Sequence, residues 1–379
     1  MTNSEGHFRI LLVDDSPVVR RVLTDVISGD PQLTVVGTAS NGRIALERID
    51  QFKPNLVVLD IEMPEMDGLA TLVELRKKHR RLPVIMFSTL THRGATATLD
   101  ALTLGADDYV PKERNTLGLA AAIEDLRRDL LPKIHALCMR DASTRFKPKQ
   151  AAAPLRSVLP KLPERKIEIM AIGVSTGGPD ALCKLTPAIP CDLPVPIVLV
   201  QHMPPVFTKL LAERLAMKSA IPVKEAVGGE LLEPGTIWLA PGGKHLKVVR
   251  HSDGIFLQTD DSPQRNYCRP SVDVLLESVA EIYGGSTLAV ILTGMGSDGL
   301  HGCELVRKHG GQIIAQDEAS SIVWGMPGAV VRAGLADLVV PLSQIAEGVV
   351  QRVMKLRTNI KSWNVGPVPA RGGYVQQSE

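Results

Sequence analysis

The sequence predicts an α/β protein of two doubly wound parallel-sheet domains, and three observations carry that reading. Short, continuous aliphatic runs such as Ile10-Leu11-Leu12-Val13 alternate with stretches of helical periodicity, as expected for parallel strands buried on both faces and covered by helices. The alternation stops near Met139 and resumes near Ile167. At 379 residues the chain is long enough for two or three independent cores, and the break implies two.

The first domain, residues 1–138, opens on a strand at residues 10–13. Ser16 then caps a helix with Pro17 at its first position, and Val19, Val22, Leu23, Val26 and Ile27 share one face. Val35-Val36, residues 56–59, residues 84–87 and Tyr109-Val110 supply four more strands. Residues 139–166 read as a linker, because Pro148, Pro154, Pro160 and Pro163 prevent a continuous helix and basic residues outnumber acids. A second domain spans residues 167–357, with strands at 169–172, 197–200, 237–240, 288–292, 313–315 and 338–340. Residues 246–249 and 255–258, around Ser252-Asp253-Gly254, read as an inserted hairpin. Residues 358–379, rich in glycine, proline and polar residues, read as a flexible tail.

A formal net charge of +2 with 22% charged residues gives no global field for nucleic acid or an anionic membrane. The second block also lacks a helix-turn-helix pattern or a basic helix, which argues against a DNA-binding regulator. Five cysteines, odd in number and widely spaced, without a Cys-x-x-Cys pair, read as small apolar residues in a reducing compartment. The polar segment before Ile10 suggests neither a signal peptide nor membrane insertion, so a cytoplasmic location is expected.

Asp14 and Asp15 close the first strand, Asp60 the third, Ser88 the fourth, and Lys112 follows the fifth. All five can meet at the carboxyl edge of one parallel sheet. Crowded carboxylates call for a hard divalent cation such as magnesium, and a cation plus a lysine would neutralise an incoming phosphoryl group. Taken singly, each aspartate is an ordinary helix cap.

Leu12-Val13-Asp14-Asp15-Ser16, the run from Val58 through Asp60 to Gly68, Ser88 and Tyr109-Val110-Pro111-Lys112 together resemble the receiver domain of bacterial response regulators. The resemblance implies a flavodoxin-like fold and phosphorylation of Asp60 by a histidine kinase. It implies Mg2+ held by Asp15, Asp60 and the Glu62 backbone carbonyl, with Asp14 acting through water. Ser88 and Lys112 would contact the phosphoryl oxygens, and Tyr109 would be the switch aromatic. The family usually places proline after the lysine, whereas here Pro111 precedes Lys112 and Glu113 follows it.

In the second domain, Ser175 lies in Gly173-Val174-Ser175-Thr176-Gly177-Gly178-Pro179, just after an apolar strand. Such a turn presents a nucleophile to helix-start amides, though it serves equally as a phosphate loop or a helix cap. A serine nucleophile needs a base and an orienting acid. His202 follows the next strand in Gln201-His202-Met203-Pro204-Pro205, with His245 and His301 as rivals. Asp298 ends the loop Thr293-Gly294-Met295-Gly296-Ser297-Asp298, with Asp180 and Asp317 as weaker alternatives.

These loops, with Ala-Pro-Gly-Gly-Lys-His-Leu at 240–246 and Arg-Pro-Ser-Val-Asp-Val-Leu at 269–275, are similar to the catalytic domain of the CheB family of chemotaxis protein-glutamate methylesterases. The resemblance implies a Rossmann-like methylesterase domain. Ser175 would be the nucleophile, His202 the general base and then acid, Asp298 the orienting carboxylate, and the Met295 amide an oxyanion donor. It implies hydrolysis of glutamate methyl esters on methyl-accepting chemotaxis receptors with release of methanol, deamidation of receptor glutamines, and no cofactor at the hydrolase site. A phosphorylation-dependent scaffold with a silent hydrolase domain is the alternative. The order Ser, His, Asp differs from that of α/β-hydrolases. Val206 stands where the family commonly has glycine, which would reshape the wall beside His202.

Overall fold

A computed structural model of the chain describes residues 7–112, 119–146 and 165–355. The first unit builds β1 (Phe8–Val13), α1 (Pro17–Ser28), β2 (Leu33–Ala39), α2 (Gly42–Phe52), β3 (Leu56–Asp60), α3 (Gly68–Lys78), β4 (Val84–Ser88), α4 (His92–Thr103), β5 (Asp108–Pro111) and α5 (Leu119–Phe146). Its five strands form one parallel sheet in the order β2-β1-β3-β4-β5. Leu56 to Asp60 and Val84 to Ser88 are buried throughout, as continuous apolar runs between two helical layers require. Side chains fix the helix starts: Ser16, Asn41, Asp67 and Thr91 accept from the amides of Val19, Ile44, Ala70 and Gly94.

Three boundaries differ from the sequence reading. β2 is longer than Val35-Val36, and β5 begins one residue early, at Asp108. α5 runs on to Phe146 rather than ending near residue 138. The apolar periodicity lapses there, but no proline or glycine occurs between residue 138 and Pro148, and Arg140 holds the segment through a 3.1 Å ion pair with Asp107. The rest of the expected linker, 147–164, and the tail, 358–379, lie outside the described residues.

The second unit adds β6 (Ile169–Val174), α6 (Gly178–Leu185), β7 (Ile197–Gln201), α7 (Phe207–Lys218), β8 (Val223–Glu225), β9 (Ile237–Leu239), β10 (His245–His251), β11 (Gly254–Asp260), α8 (Val272–Tyr283), β12 (Thr287–Ile291), α9 (Leu300–Lys308), β13 (Gln312–Gln316), α10 (Met326–Arg332), β14 (Leu338–Val340) and α11 (Leu342–Met354). Seven parallel strands run β14-β13-β12-β6-β7-β9-β8. The chain reverses its winding between β6 and β12, the switch point where such sheets open a crevice at their carboxyl ends. β10 and β11 form a separate antiparallel hairpin, longer than predicted, with His245 opposite Asp260. β8 was not foreseen, because Val-Lys-Glu at a sheet edge carries little apolar signal.

The two units are packed together. α4 lies against α6 and α7, and one apolar core runs from Leu102, Ala106 and Tyr109 into Leu182, Phe207 and Leu211. Tyr109 stacks on Phe207 with ring centroids 4.9 Å apart and planes 8° from parallel. Around this contact Arg214 reaches Asp100 and Thr103, Arg140 donates to the Ile322 carbonyl, and Arg128 lies over the Tyr267 ring.

Candidate active site

Strand register brings the three hydrolytic candidates together. Val174 and Gln201 are paired across β6 and β7, so Ser175 and His202 leave the sheet side by side, and the His202 amide donates to the Val174 carbonyl at 3.2 Å. Asp298 arrives on the loop after β12, the strand on the other side of β6. The Ser175 turn is tight. Gly177 adopts φ +74°, and a Cβ on it would lie 2.5 Å from the Ile322 Cβ, so glycine is required there on both counts. A Cβ on Gly294 would lie 2.9 Å from the Ser175 Cβ, which shows how closely the 293–296 loop passes the serine. Among the described residues the Met295 amide has no hydrogen-bond acceptor, so it is available as a donor beside that turn.

His202 Nε2 lies 2.8 Å from Asp298 Oδ2, and His202 Nδ1 faces the Cys268 sulfur at 3.6 Å. Nδ1 is therefore the nitrogen left for a reacting hydroxyl; among the described residues no hydrogen bond joins it to Ser175 Oγ. Nucleophile–base contacts are often loose without substrate. Burial alone would lower the His202 pKa, but its contact with the Cys268 sulfur and the hydrogen bond and charge of Asp298 outweigh it and raise it to about 10. Burial pushes Asp298 towards the neutral acid, yet hydrogen bonds from His202, Asn266 and Ser271 hold its pKa below the carboxylate range.

The other contacts of Asp298 were not foreseen. Ser271 Oγ donates to its Oδ1 at 2.7 Å, Asn266 Nδ2 at 3.0 Å, and the Val272 and Asp273 amides point at the same carboxylate. The start of α8 thus serves as an anion site for the acid. Arg-Pro-Ser-Val-Asp at 269–273, a polar cap before an apolar helix, was the available sequence signal, and Ser271 spends its hydroxyl on Asp298 rather than on its own helix.

The rivals fall elsewhere. His245 is buried, its Nδ1 accepting from the Ser271 amide and its Nε2 donating to the Pro263 carbonyl, so it braces Ser271. His301 lies on α9 beside Glu304. Asp180 pairs with Lys184, and Asp317 caps Ser320. Val206 begins α7 at φ +72° and ψ −47°, a conformation strained for a β-branched residue. Its departure from glycine therefore loads the backbone.

In the first unit, ligand atoms of Asp14, Asp15 and Asp60 lie within 4.8 Å of one another. Lys112 Nζ stands 2.7 Å from Asp60 Oδ2 and 3.0 Å from Asp14 Oδ2. Both oxygens are buried without an aligned hydrogen-bond donor, a donor set suited to a hard cation. Burial, with the Asp14 charge adding and Lys112 opposing, raises the Asp60 pKa to about 6. Pro111 does not divert the lysine, because the Lys112 amide bonds the Ser88 carbonyl at 2.6 Å and continues the strand pairing. Ser88 is at this edge, but its hydroxyl is directed at the Gly94 and Thr89 carbonyls; the Glu62 amide donates to Asp60 Oδ1.

Between the two sites lies β5. Asp108 Oδ2 accepts from Thr176 Oγ1 at 2.8 Å, a buried contact one residue from Ser175, and Lys133 stands 3.5 Å from the same oxygen. Neither residue was singled out in the sequence, since the contact joins positions 68 residues apart.

The family model for CheB methylesterase matches residues 170–349, and that for the response regulator receiver domain matches residues 10–124. A relative from Trichodesmium erythraeum (strain IMS101), named protein-glutamate methylesterase/protein-glutamine glutaminase, is 51% identical over 91% of this chain and 99% of its own. One of the same name from Nocardioides sp. (strain ATCC BAA-499 / JS614) is 45% identical over 93% of this chain and 97% of its own. The crystal structure of the Thermotoga maritima CheB methylesterase catalytic domain is 45% identical, covering 49% of this chain and 99% of that one, with a TM-score of 0.48.

Proposed function

The chain belongs to the family of protein-glutamate methylesterase/protein-glutamine glutaminases, and from that premise we propose that Ser175, His202 and Asp298 hydrolyse receptor glutamate methyl esters under control of the receiver in front of them. Ser175 Oγ attacks the ester carbonyl and passes its proton to His202 Nδ1, while Asp298 keeps the Nε2 proton and the ring orientation. The Met295 amide faces the tetrahedral oxyanion. His202 returns the proton to the leaving methoxide, methanol departs, and water resolves the acyl-enzyme. A glutamine side chain follows the same route with ammonia as the leaving group.

Asp60 is the phosphoryl acceptor. Asp14, Asp15, Asp60 and the Glu62 carbonyl would hold Mg2+, which when bound supplies charge neutralisation for the incoming phosphoryl group. Ser88 and Lys112 take the phosphoryl oxygens. The substrates are methyl-accepting chemotaxis receptors and the phosphodonor is a chemotaxis histidine kinase, which places the enzyme in the cytoplasm; no described helix is long and apolar enough to cross a membrane. In the packed arrangement β5 and α5 lie against the Ser175 turn and the Tyr267 loop, so phosphorylation shifts the population from docked to open.

The observation that carries this reading is the convergence of the Ser175 turn, the His202 imidazole and the Asp298 carboxylate at neighbouring strand ends. Ser175→Ala is expected to abolish methanol release from methylated receptor membranes while leaving Asp60 phosphorylation intact. Release at the wild-type rate would remove Ser175 from the nucleophile's role.

A further inference from the structure

The Cys268 thiol is not used by the hydrolytic mechanism, yet its sulfur faces His202 Nδ1, the nitrogen that mechanism needs. We propose that Cys268 Sγ and His202 Nδ1 form a soft-metal site, selective for Zn2+ over Mg2+, that silences the hydrolase by occupying its base.

Three features support the site. A tetrahedral zinc with Zn–S of about 2.3 Å and Zn–N of about 2.05 Å spans a sulfur-to-nitrogen distance of about 3.6 Å. The separation here is 3.6 Å, so the sulfur-to-nitrogen span already matches. Next, the other ring nitrogen lies 2.8 Å from a carboxylate that is itself held by Ser271 and Asn266. A metal-binding histidine ordinarily has such a partner, which fixes the tautomer and raises ligand basicity. Finally, thiolate and imidazole favour zinc, whereas the all-oxygen cluster around Asp60 favours magnesium, so one protein can sort the two ions.

Binding is a simple exchange. The protons held at the sulfur and at Nδ1 leave to solvent, the thiolate and the freed Nδ1 lone pair take the ion, water fills the remaining positions, and the Nε2 proton stays with Asp298. Asn266 and Cys268 flank Tyr267, whose ring lies under Arg128 of α5, so the loop that supplies the sulfur also touches the receiver. The site itself stands on geometry; its inhibitory effect rests on His202 being the base proposed above.

The test uses the full chain in excess Mg2+, with Co2+ as a spectroscopic stand-in for zinc. A thiolate-to-cobalt charge-transfer band in the near ultraviolet is expected for the native protein and for Ser175→Ala, and its loss in Cys268→Ala and Cys268→Ser. Zn2+ should suppress methanol release reversibly with chelator, and either Cys268 variant should need at least about tenfold more zinc for half inhibition. No cobalt band, or an unchanged band in both Cys268 variants, would overturn the site. A Cys268-dependent band with unaffected methanol release would keep the site and overturn His202 as the base.

Discussion

Replacing Thr176 with valine tests whether β5 restrains the hydrolase. Valine keeps the shape of the side chain and leaves the Thr176 carbonyl free to accept from Thr293 Oγ1 as before. It deletes the 2.8 Å hydrogen bond to Asp108 Oδ2 across the domain contact. Both residues are buried, at 4% and 5% exposure, so water does not readily replace the lost donor. A hydrogen bond to a charged group contributes about 1.5–3 kcal/mol net. Lys133, 3.5 Å from the same carboxylate oxygen, keeps the charge partly compensated and favours the lower end. If the contact exists only in the docked state, the docking equilibrium shifts by about 1.5 kcal/mol, or about tenfold towards open. The assay is methanol release from methylated receptor membranes, with and without a small phosphodonor and magnesium. Thr176→Val should raise the unphosphorylated rate about tenfold, up to the open-state ceiling, and leave the phosphorylated rate unchanged. An unphosphorylated rate equal to the wild type in a normally folded variant would refute the restraint. An equal rise in both rates would instead place Thr176 in the chemistry.

Two more predictions concern single residues. Asp298→Asn should lower methanol release by about 10²–10⁴-fold; because the carboxylate helps hold the His202 pKa up, the acid limb of the remaining activity should move to lower pH, and an unmoved limb would separate Asp298 from the base. Val206→Gly should stabilise the fold by about 0.5–1 kcal/mol, because the strain at φ +72° exceeds what glycine loses in chain entropy and the side chain is 38% exposed. A denaturant midpoint that stays put or falls, at constant slope, would show that the strain is absent.

Strand ends were legible in the sequence because each candidate residue follows a continuous apolar run: Asp14 after residues 10–13, Ser175 after 169–172, His202 after 197–200. Adjacent parallel strands then oblige these residues to share an edge. Residues that act from irregular backbone were not legible. Asn266 and Cys268 sit on a turn whose only regular pairing is the Arg265–Cys268 bridge, and neither periodicity nor capping marks them. The nitrogen of His202 that faces Asp298 was also invisible, since it depends on ring orientation rather than spacing. The domain contact lay beyond local pattern altogether, because Tyr109 reads as a strand aromatic whether its ring meets solvent or Phe207.

β5 is the last strand of its sheet, bonded along one side to β4 and bordered on the other by the second unit. Together with Lys112, the residue that follows it, β5 carries the hold on the serine turn at Asp108, the stacking face for Phe207 at Tyr109, and the ammonium that meets Asp60, the proposed phosphoryl acceptor. In the proposed mechanism, sensor and latch are therefore one piece of chain rather than two ends of a relay. A movement of that strand needs no intervening network to be felt at the serine, because Asp108 and Tyr109 are adjacent and a shift of the strand displaces both contacts together.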